Sequence, residues 1–400
     1  MIWDALLLQL GYNAVLVTLG AATLGIAAGA GGTFLFLRGR ALLSDAVSHA
    51  TLPGVGLAFI AMALLGGDGR NLIGLLTGAA VSAALGLLCV SWLTTRTRLG
   101  EDAAIGAVLS VFFGFGIVLL TVIQSLGVGS PAGLESVLLG ATAGMVQSEA
   151  LMLLVAAGLT LGLVLILRRP LTLAAFDPGF ATATGRNVAR LDLAMMGLVL
   201  AVVVVGMKIV GLILIVALLI IPPVTARLWT ERVDRVLLLS GLAGGLAGYL
   251  GAALSAALRD VPTGPVIVLV SFALFIVSLL AAPRRGVLSA WVRHRAHQRA
   301  VHLRQGLLAL ATGQPIYERL TLRLLRRAGL ARADGVATET GKAAAAKAML
   351  DEARWQIVLH DPAHAAAARR YDGLTRLEEV LTPDQLSAVD AALPGPVAVP

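Results

Sequence analysis

The sequence predicts an all-α polytopic membrane protein of about nine transmembrane helices, followed by a small cytoplasmic domain of winged-helix-like α(+β) pattern. Three observations predict this. Charged residues make up only 14% of the chain and the mean hydropathy is +0.88, whereas a soluble domain carries roughly a quarter charged residues. Long apolar runs recur along the first two thirds of the chain, each close to the roughly 20 residues that cross a bilayer core as a helix. After Pro283 the composition turns abruptly to Arg, Glu, Asp and Ala, and no later run is long enough to span. The domains expected are residues 1–285, in the membrane, and 286–400, soluble.

The segment Met1–Gln9 has neither a basic n-region nor a small-residue cleavage site, so it reads as an interfacial lead-in rather than a signal peptide. The runs that follow are Asn13–Leu37, Leu42–Leu65, Leu72–Leu93, Ile105–Ile123, Ala150–Leu167, Leu191–Met207, Ile209–Ala226, Val236–Leu258 and Pro265–Ala282. Arginines orient them. Arg38, Arg40, Arg96, Arg98, Arg168, Arg169, Arg186, Arg190, Arg227, Arg232, Arg235, Arg284 and Arg285 fall on one set of alternate loops, against only Arg70, Lys208 and Arg259 on the other. The positive-inside rule then puts the N-terminus outside and the C-terminus in the cytoplasm, in a bacterial plasma (inner) membrane. The same arginines account for the net charge of +8, so nucleic acid is not an expected partner, whereas membrane lipid is. The single cysteine, Cys89, excludes a disulfide framework.

Ionisable groups inside a span cost roughly 2.5–3.5 kcal/mol each on insertion scales, so they need a partner or a task. Asp45 and His49 stand four residues apart in the second run and share one helix face. A carboxylate and an imidazole so placed suit Mn²⁺, Fe²⁺ or Zn²⁺. The same spacing also suits a plain ion pair, or a position at the interface near Arg40. Ser44 and Ser48 are placed to bond the neighbouring helix turn. Pro53 and Gly54 follow one turn later and are expected to break or kink the helix, as are Pro222 and Pro223 in the seventh run. Clustered glycines at 25, 29, 31 and 32 predict close helix packing. Gln147 and Glu149 are expected to be solvated at an outer boundary, and Asp192 to cap a helix start.

Four stretches then carry a family resemblance: Leu42-Leu-Ser-Asp-Ala-Val-Ser-His-Ala-Thr-Leu-Pro-Gly-Val-Gly56, Glu101-Asp-Ala-Ala-Ile-Gly106, Phe176-Asp-Pro-Gly-Phe-Ala-Thr-Ala-Thr-Gly185, and the Val210–Ala226 run with its Pro-Pro pair. Over about residues 10–285 the chain resembles the membrane-spanning permease subunits of ABC importers for manganese, zinc and iron. The resemblance implies that Asp45 and His49 face the translocation pathway and bind the metal. It implies that Phe176, Asp177, Pro178 and Gly185 belong to a coupling helix that docks on an ATPase, with Asp177 as N-cap and Pro178 at the first helical position. It also implies a homodimer of permeases, an ABC ATPase subunit and an extracytoplasmic metal-binding protein. The chain departs from the family at Gly133, before Leu134, where an acidic residue is usual. No P-loop occurs, so the chain is a transport subunit rather than an enzyme, with ATP acting through the partner and no permanently bound cofactor.

The soluble segment reads as a helix at Leu303–Leu310, a second at Ile316–Ala328 and a hairpin turning at Asp334-Gly335, with a third helix through Leu359. This order is similar to iron- and manganese-dependent repressors, as is the later stretch Tyr371–Asp384. That family pairs Glu with His at a regulatory metal; here the matching residues are Glu378 and Glu379, with His360 and His364 as alternative ligands. The expected function is an ATP-driven permease for a divalent transition metal, Mn²⁺ favoured over Zn²⁺ and Fe²⁺. Two rivals remain: a secondary metal transporter or channel, and a membrane-anchored metal-responsive regulator.

Overall fold

The computed structural model describes residues 2–9, 11–66, 71–125, 146–258 and 261–393, and the chain divides into two compact units, Met1–Val287 and Leu288–Pro400. The expectation at Gly133 and Leu134 lies outside the described residues. The described elements of the first unit are all helices. In order it contains α1 (Ile2–Leu6), α2 (Tyr12–Leu37), α3 (Leu42–Leu64), α4 (Leu72–Arg96), α5 (Glu101–Ser125), α6 (Gln147–Phe176), α7 (Pro178–Ala183), α8 (Val188–Val210), α9 (Leu212–Trp229), α10 (Val233–Ala257) and α11 (Thr263–Ala281). Among the described residues, eight of these helices (α2–α6, α8, α10 and α11) are long and apolar enough to cross a membrane. Helix α9 is the shorter one: its 18 residues reach about 27 Å at 1.5 Å per residue.

Apolar side chains gain nothing from leaving lipid tails for one another, so helices in a membrane associate through close backbone approach. The seam between α2 and α10 shows this. A Cβ added to Gly25 would lie 2.2 Å from the Gly244 carbonyl oxygen, and Ser240 Oγ donates to the Gly29 carbonyl at 2.6 Å. A second seam joins α3 to α4, where a Cβ on Gly54 would lie 2.0 Å from the Gly78 carbonyl oxygen.

Of the break or kink expected at each proline site, a break is absent: α3 runs through Pro53 to Leu64, and α9 through Pro222 and Pro223 to Trp229. Each proline removes one i−4 hydrogen bond, and the close-packed neighbours hold the helix across the gap. The Leu219 carbonyl, released by Pro223, abuts Gly32 of α2, where a Cβ would come within 1.9 Å of it. The boundary between the sixth and seventh runs also moves. Helix α8 continues past Lys208 to Val210, and the chain reverses at Gly211, whose φ of +84° suits glycine. Gly206 of α8 then lies against the Ile215 side chain of α9, so the two helices fold back as a hairpin.

The second unit contains most of α12 (Val287–Ala311), then α13 (Arg319–Arg327), α14 (Glu339–His360), α15 (Ala365–Ala368) and α16 (Pro383–Ala391). Its core gathers Trp355, Val358, Ala367, Leu377 and Val389, and Trp355 Nε1 donates to the Thr375 carbonyl at 2.9 Å. The Asp334-Gly335 turn forms, with Asp334 Oδ1 accepting from the Val336 N–H at 3.1 Å and Gly335 at φ +85°. Its arms, however, make one isolated antiparallel bridge, Ala331 to Ala337, and the described residues contain no strand.

Candidate metal pathway and coupling site

Asp45 sits in the first turn of α3 and His49 one turn later. Asp45 Oδ1 and His49 Nε2 are 3.4 Å apart, and both side chains are half-buried. That separation exceeds an ordinary N–H···O bond of about 2.7–3.2 Å. It fits two corners of a tetrahedral shell, because metal bonds of about 2.1 Å set neighbouring ligand atoms about 3.4 Å apart. Two further features mark the His49 turn. Pro53 has no N–H to give the His49 carbonyl, four residues back, so that oxygen lacks its helix partner. His49 Nδ1 is buried without a hydrogen-bond partner, and Phe113 of α5 stands edge-on to the imidazole, ring centroids 4.9 Å apart.

The neighbouring hydroxyls are spent on the backbone. Ser44 donates to the Ala41 carbonyl at 2.7 Å and Ser48 to the Ser44 carbonyl at 2.9 Å, as the sequence suggests. Thr51 bonds the Ser48 carbonyl and approaches Met207 Sδ. Among the described residues no cluster of three or more His, Cys, Asp or Glu is found that could hold a metal ion. An ion placed against Asp45 and His49 would therefore find no third His, Cys, Asp or Glu ligand among the described residues.

Four residues before Asp45, the α2–α3 junction meets a charge cluster. Arg38 donates to the Ala174 carbonyl at 2.6 Å through Nη1 and to Asp192 Oδ2 at 3.0 Å through Nη2. Arg40 pairs with Glu101 at 2.6 Å through Nε, and its Nη1 lies 3.2 Å from Asp192. Arg40 Nη1 is nonetheless without an aligned hydrogen bond, so the second contact is coulombic. Asp192 thus lies inside α8 as the acceptor for Arg38 and the coulombic partner of Arg40, rather than capping the helix start. Asn187 caps α8 instead, accepting from the Arg190 N–H at 3.1 Å. Arg40, Glu101 and Asp192 line one end of a cavity of about 660 Å³ whose walls include Leu87, Leu193 and Met196.

Between Ala174 and Asp192 lies α7. Asp177 Oδ1 accepts from the Phe180 N–H at 2.8 Å, Pro178 takes the first helical position, and Gly185, at φ +79°, turns the chain out. Phe176 and Phe180 are 59% and 56% exposed, an unusual outlay of aromatic surface beside a polar turn. Arg38 clasps the stems on both sides of this loop. Sequence reading missed Arg38 and Phe113 as site residues, because both act on elements far from their own in the chain.

At the α6 start, Glu149 Oε2 accepts from the Val146 N–H at 3.3 Å, so it caps its own helix. In the second unit the four residues named for a regulatory metal are not gathered. Glu378 lies 3.6 Å from Arg354, His360 Nδ1 contacts the Gln356 carbonyl at 2.7 Å, and His364 lies 4.0 Å from Asp361. Ion pairs organise this unit instead: Arg354 binds Asp390 through two bonds of 2.6 and 2.7 Å, and Arg304 reaches Asp351 and Glu352. Burial works against the charge on Glu352, but hydrogen bonds from Arg304, Gln356 and Tyr371 prevail and hold its carboxyl below the ordinary range. Backbone N–H groups of Thr375 and Leu374 do the same for Asp372.

Comparison with known proteins places this geometry. The family model of the ABC 3 transport family matches residues 12–282. The manganese transport system membrane protein MntC of Bacillus subtilis is 38% identical over 309 residues, 77% of this chain and 70% of its own. The zinc transport system membrane protein TroC of Treponema pallidum is 40% identical over 281 residues, 70% of this chain and 92% of its own. Among solved structures, PsaBC from Streptococcus pneumoniae in complex with Fab aligns with a TM-score of 0.62 and 32% identity, covering 71% of this chain and 98% of that one.

Proposed function

This chain belongs to the ABC 3 transport family, and from that membership we propose how its geometry moves a metal ion. It is the membrane permease of an ABC importer for a divalent transition metal, a transport component whose ATP hydrolysis is carried by a separate subunit. Asp45 and His49 offer the ion one oxygen and one nitrogen on the pathway. The released His49 carbonyl is a third oxygen within the same turn. The remaining ligands come from water or from a second copy of the chain across a homodimer axis.

The observation that carries this reading is the Asp45–His49 pair, 3.4 Å apart and lying inside the matched segment. Manganese is favoured because several relatives carry that metal in their names, with zinc second. An oxygen-and-imidazole pair accepts either, as it does Fe²⁺. An extracytoplasmic metal-binding protein delivers the ion. The nine-crossing arrangement, with α9 as the short ninth, puts the N-terminus outside and the arginine-rich loops in the cytoplasm of a bacterial inner membrane. On that side α7 offers Phe176 and Phe180 to the ATPase, with Asp177, Pro178 and Gly185 shaping the element. Arg38 and Arg40 connect its stems to the start of α3. Residues 286–400 add an assembly or regulatory domain.

Proteoliposomes carrying the permease with its ATPase should take up Mn²⁺ only when ATP is supplied on the ATPase side. Uptake that persists without the ATPase would instead establish a secondary transporter or channel. A chain truncated after Arg285 should still transport; loss of all function on truncation, with Asp45→Ala harmless, would establish a membrane-anchored regulator.

A further inference from the structure

Helix α12 begins six residues after the last span ends at Ala281, reached through a tight turn in which the Gly286 N–H donates to the Ala282 carbonyl at 2.9 Å. Its first half is exposed along nearly its whole length, residues 287–300. Such a stretch buries no core of its own, and its composition is divided in a particular way. Val287, Leu288, Trp291 and Val292 are 54%, 58%, 49% and 53% exposed, and at about 100° per residue they fall on one arc of the helix. Arg295 and Arg299 continue that same arc one and two turns on, with His294 on its flank. The Arg295 guanidinium lies 3.7 Å from the centre of the Trp291 ring, the cation-on-indole arrangement suited to a half-wet boundary. No Asp or Glu occurs between Asp260 and Glu318, a stretch that holds six arginines.

We infer that the first half of α12 is an interfacial helix bound to anionic phospholipid headgroups, inserting Val287, Leu288, Trp291 and Val292 among the lipids. Arg295 and Arg299 then engage the phosphates. An apolar arc followed by basic residues, with tryptophan between them, is what a helix lying in the headgroup layer requires. The span α11 tethers it there, so binding pays no cost of bringing helix and surface together, and weak individual contacts suffice. A protein partner is the lesser fit, because a surface of this charge would demand a dense acidic counterpart and would not favour lone aliphatic side chains beside it.

The test uses the full-length chain in vesicles of phosphatidylcholine alone, or with about one part in four of phosphatidylglycerol. A parallel set carries brominated acyl chains, which quench nearby indoles. The Trp291 signal is the difference between wild type and Trp291→Phe. Quenching of that signal should be at least about twofold greater in the anionic vesicles, and should fall to the neutral level at about 0.5 M salt. The double variant Arg295→Gln/Arg299→Gln should lose the anionic gain, while emission of the buried Trp355 stays unchanged as a check on folding. Equal quenching in both vesicles, or an undiminished gain in the double variant, would overturn the assignment. So would a Trp291 that bromine never reaches but that aqueous acrylamide cannot quench either, since that marks a protein contact.

Discussion

Arg38 and Asp192 meet at 3.0 Å across 154 residues of chain, and the same guanidinium holds the Ala174 carbonyl. One side chain from the end of α2 therefore joins both stems of the α7 loop, seven residues before Asp45. Both partners are largely buried, with side-chain exposures of 16% and 19%, so removing one leaves the other charged and poorly solvated.

Arg38→Ala or Asp192→Ala should therefore lower the stability of the permease by about 3 kcal/mol and reduce metal uptake more than ATP hydrolysis. The exchanged pair Arg38→Asp/Asp192→Arg should recover part of the stability. The ratio of metal moved to ATP hydrolysed, measured in proteoliposomes, checks this. An unchanged ratio in both single variants would mean that the clasp is only structural.

Phe180→Ala should weaken the association of permease and ATPase about tenfold, the scale of an exposed aromatic anchor at an interface, while leaving metal binding intact. Co-purification or binding in detergent measures it. Asp177→Ala removes the cap of α7 and costs about 1 kcal/mol locally, so it should weaken the same association without removing an aromatic contact.

Gly54→Leu should destabilise the first unit by about 1–3 kcal/mol or more, since its side chain would need the space of the Gly78 carbonyl. Thermal unfolding in detergent reads the shift. Gly158→Leu, on an open face of α6 where an added Cβ meets nothing within 4 Å, should be tolerated and is the control.

The second unit should weaken in acid. Glu352 and Asp372 are held below their ordinary carboxylate values in the folded chain. Their contribution is thus complete above the unfolded values of about 4.3 and 3.9 and is lost as pH falls through the lower folded values. Burial of the Trp355 indole reports this unit. Its emission should show unfolding at progressively lower temperature below about pH 4, and Glu352→Gln should flatten that dependence. A slope as steep in the variant would assign the acid sensitivity to other groups.

Much of this was legible along the chain where the physics is local. The Asp45–His49 pairing follows from a spacing of four, and the Asp177-Pro178 dipeptide announces its own helix start. The spans stand out because lipid tolerates few charges. Contacts between distant elements were not legible. Asp192 reads as a cap because it stands at the start of an apolar run, yet its partners come from the end of α2 and the α2–α3 junction. Phe113 is one of several apolar residues in α5 until the fold sets its edge against His49. Pro53 and the Pro222-Pro223 pair signal a break or kink by local rules, and which of the two is set by the neighbouring helices, against which both elements stay continuous. The Asp334-Gly335 turn was readable as a turn, whereas its arms pair through one bridge, Ala331 to Ala337, instead of two strands.

The most direct test of the account is ATP-driven uptake of Mn²⁺, Zn²⁺ and Fe²⁺ by the permease–ATPase complex in proteoliposomes, comparing wild type with Asp45→Ala and His49→Ala. On the proposed site each substitution removes one ligand of the transported ion, and uptake should fall at least about tenfold, with the complex still assembled. Wild-type uptake of all three metals in both variants would contradict the assignment of Asp45 and His49 to the pathway.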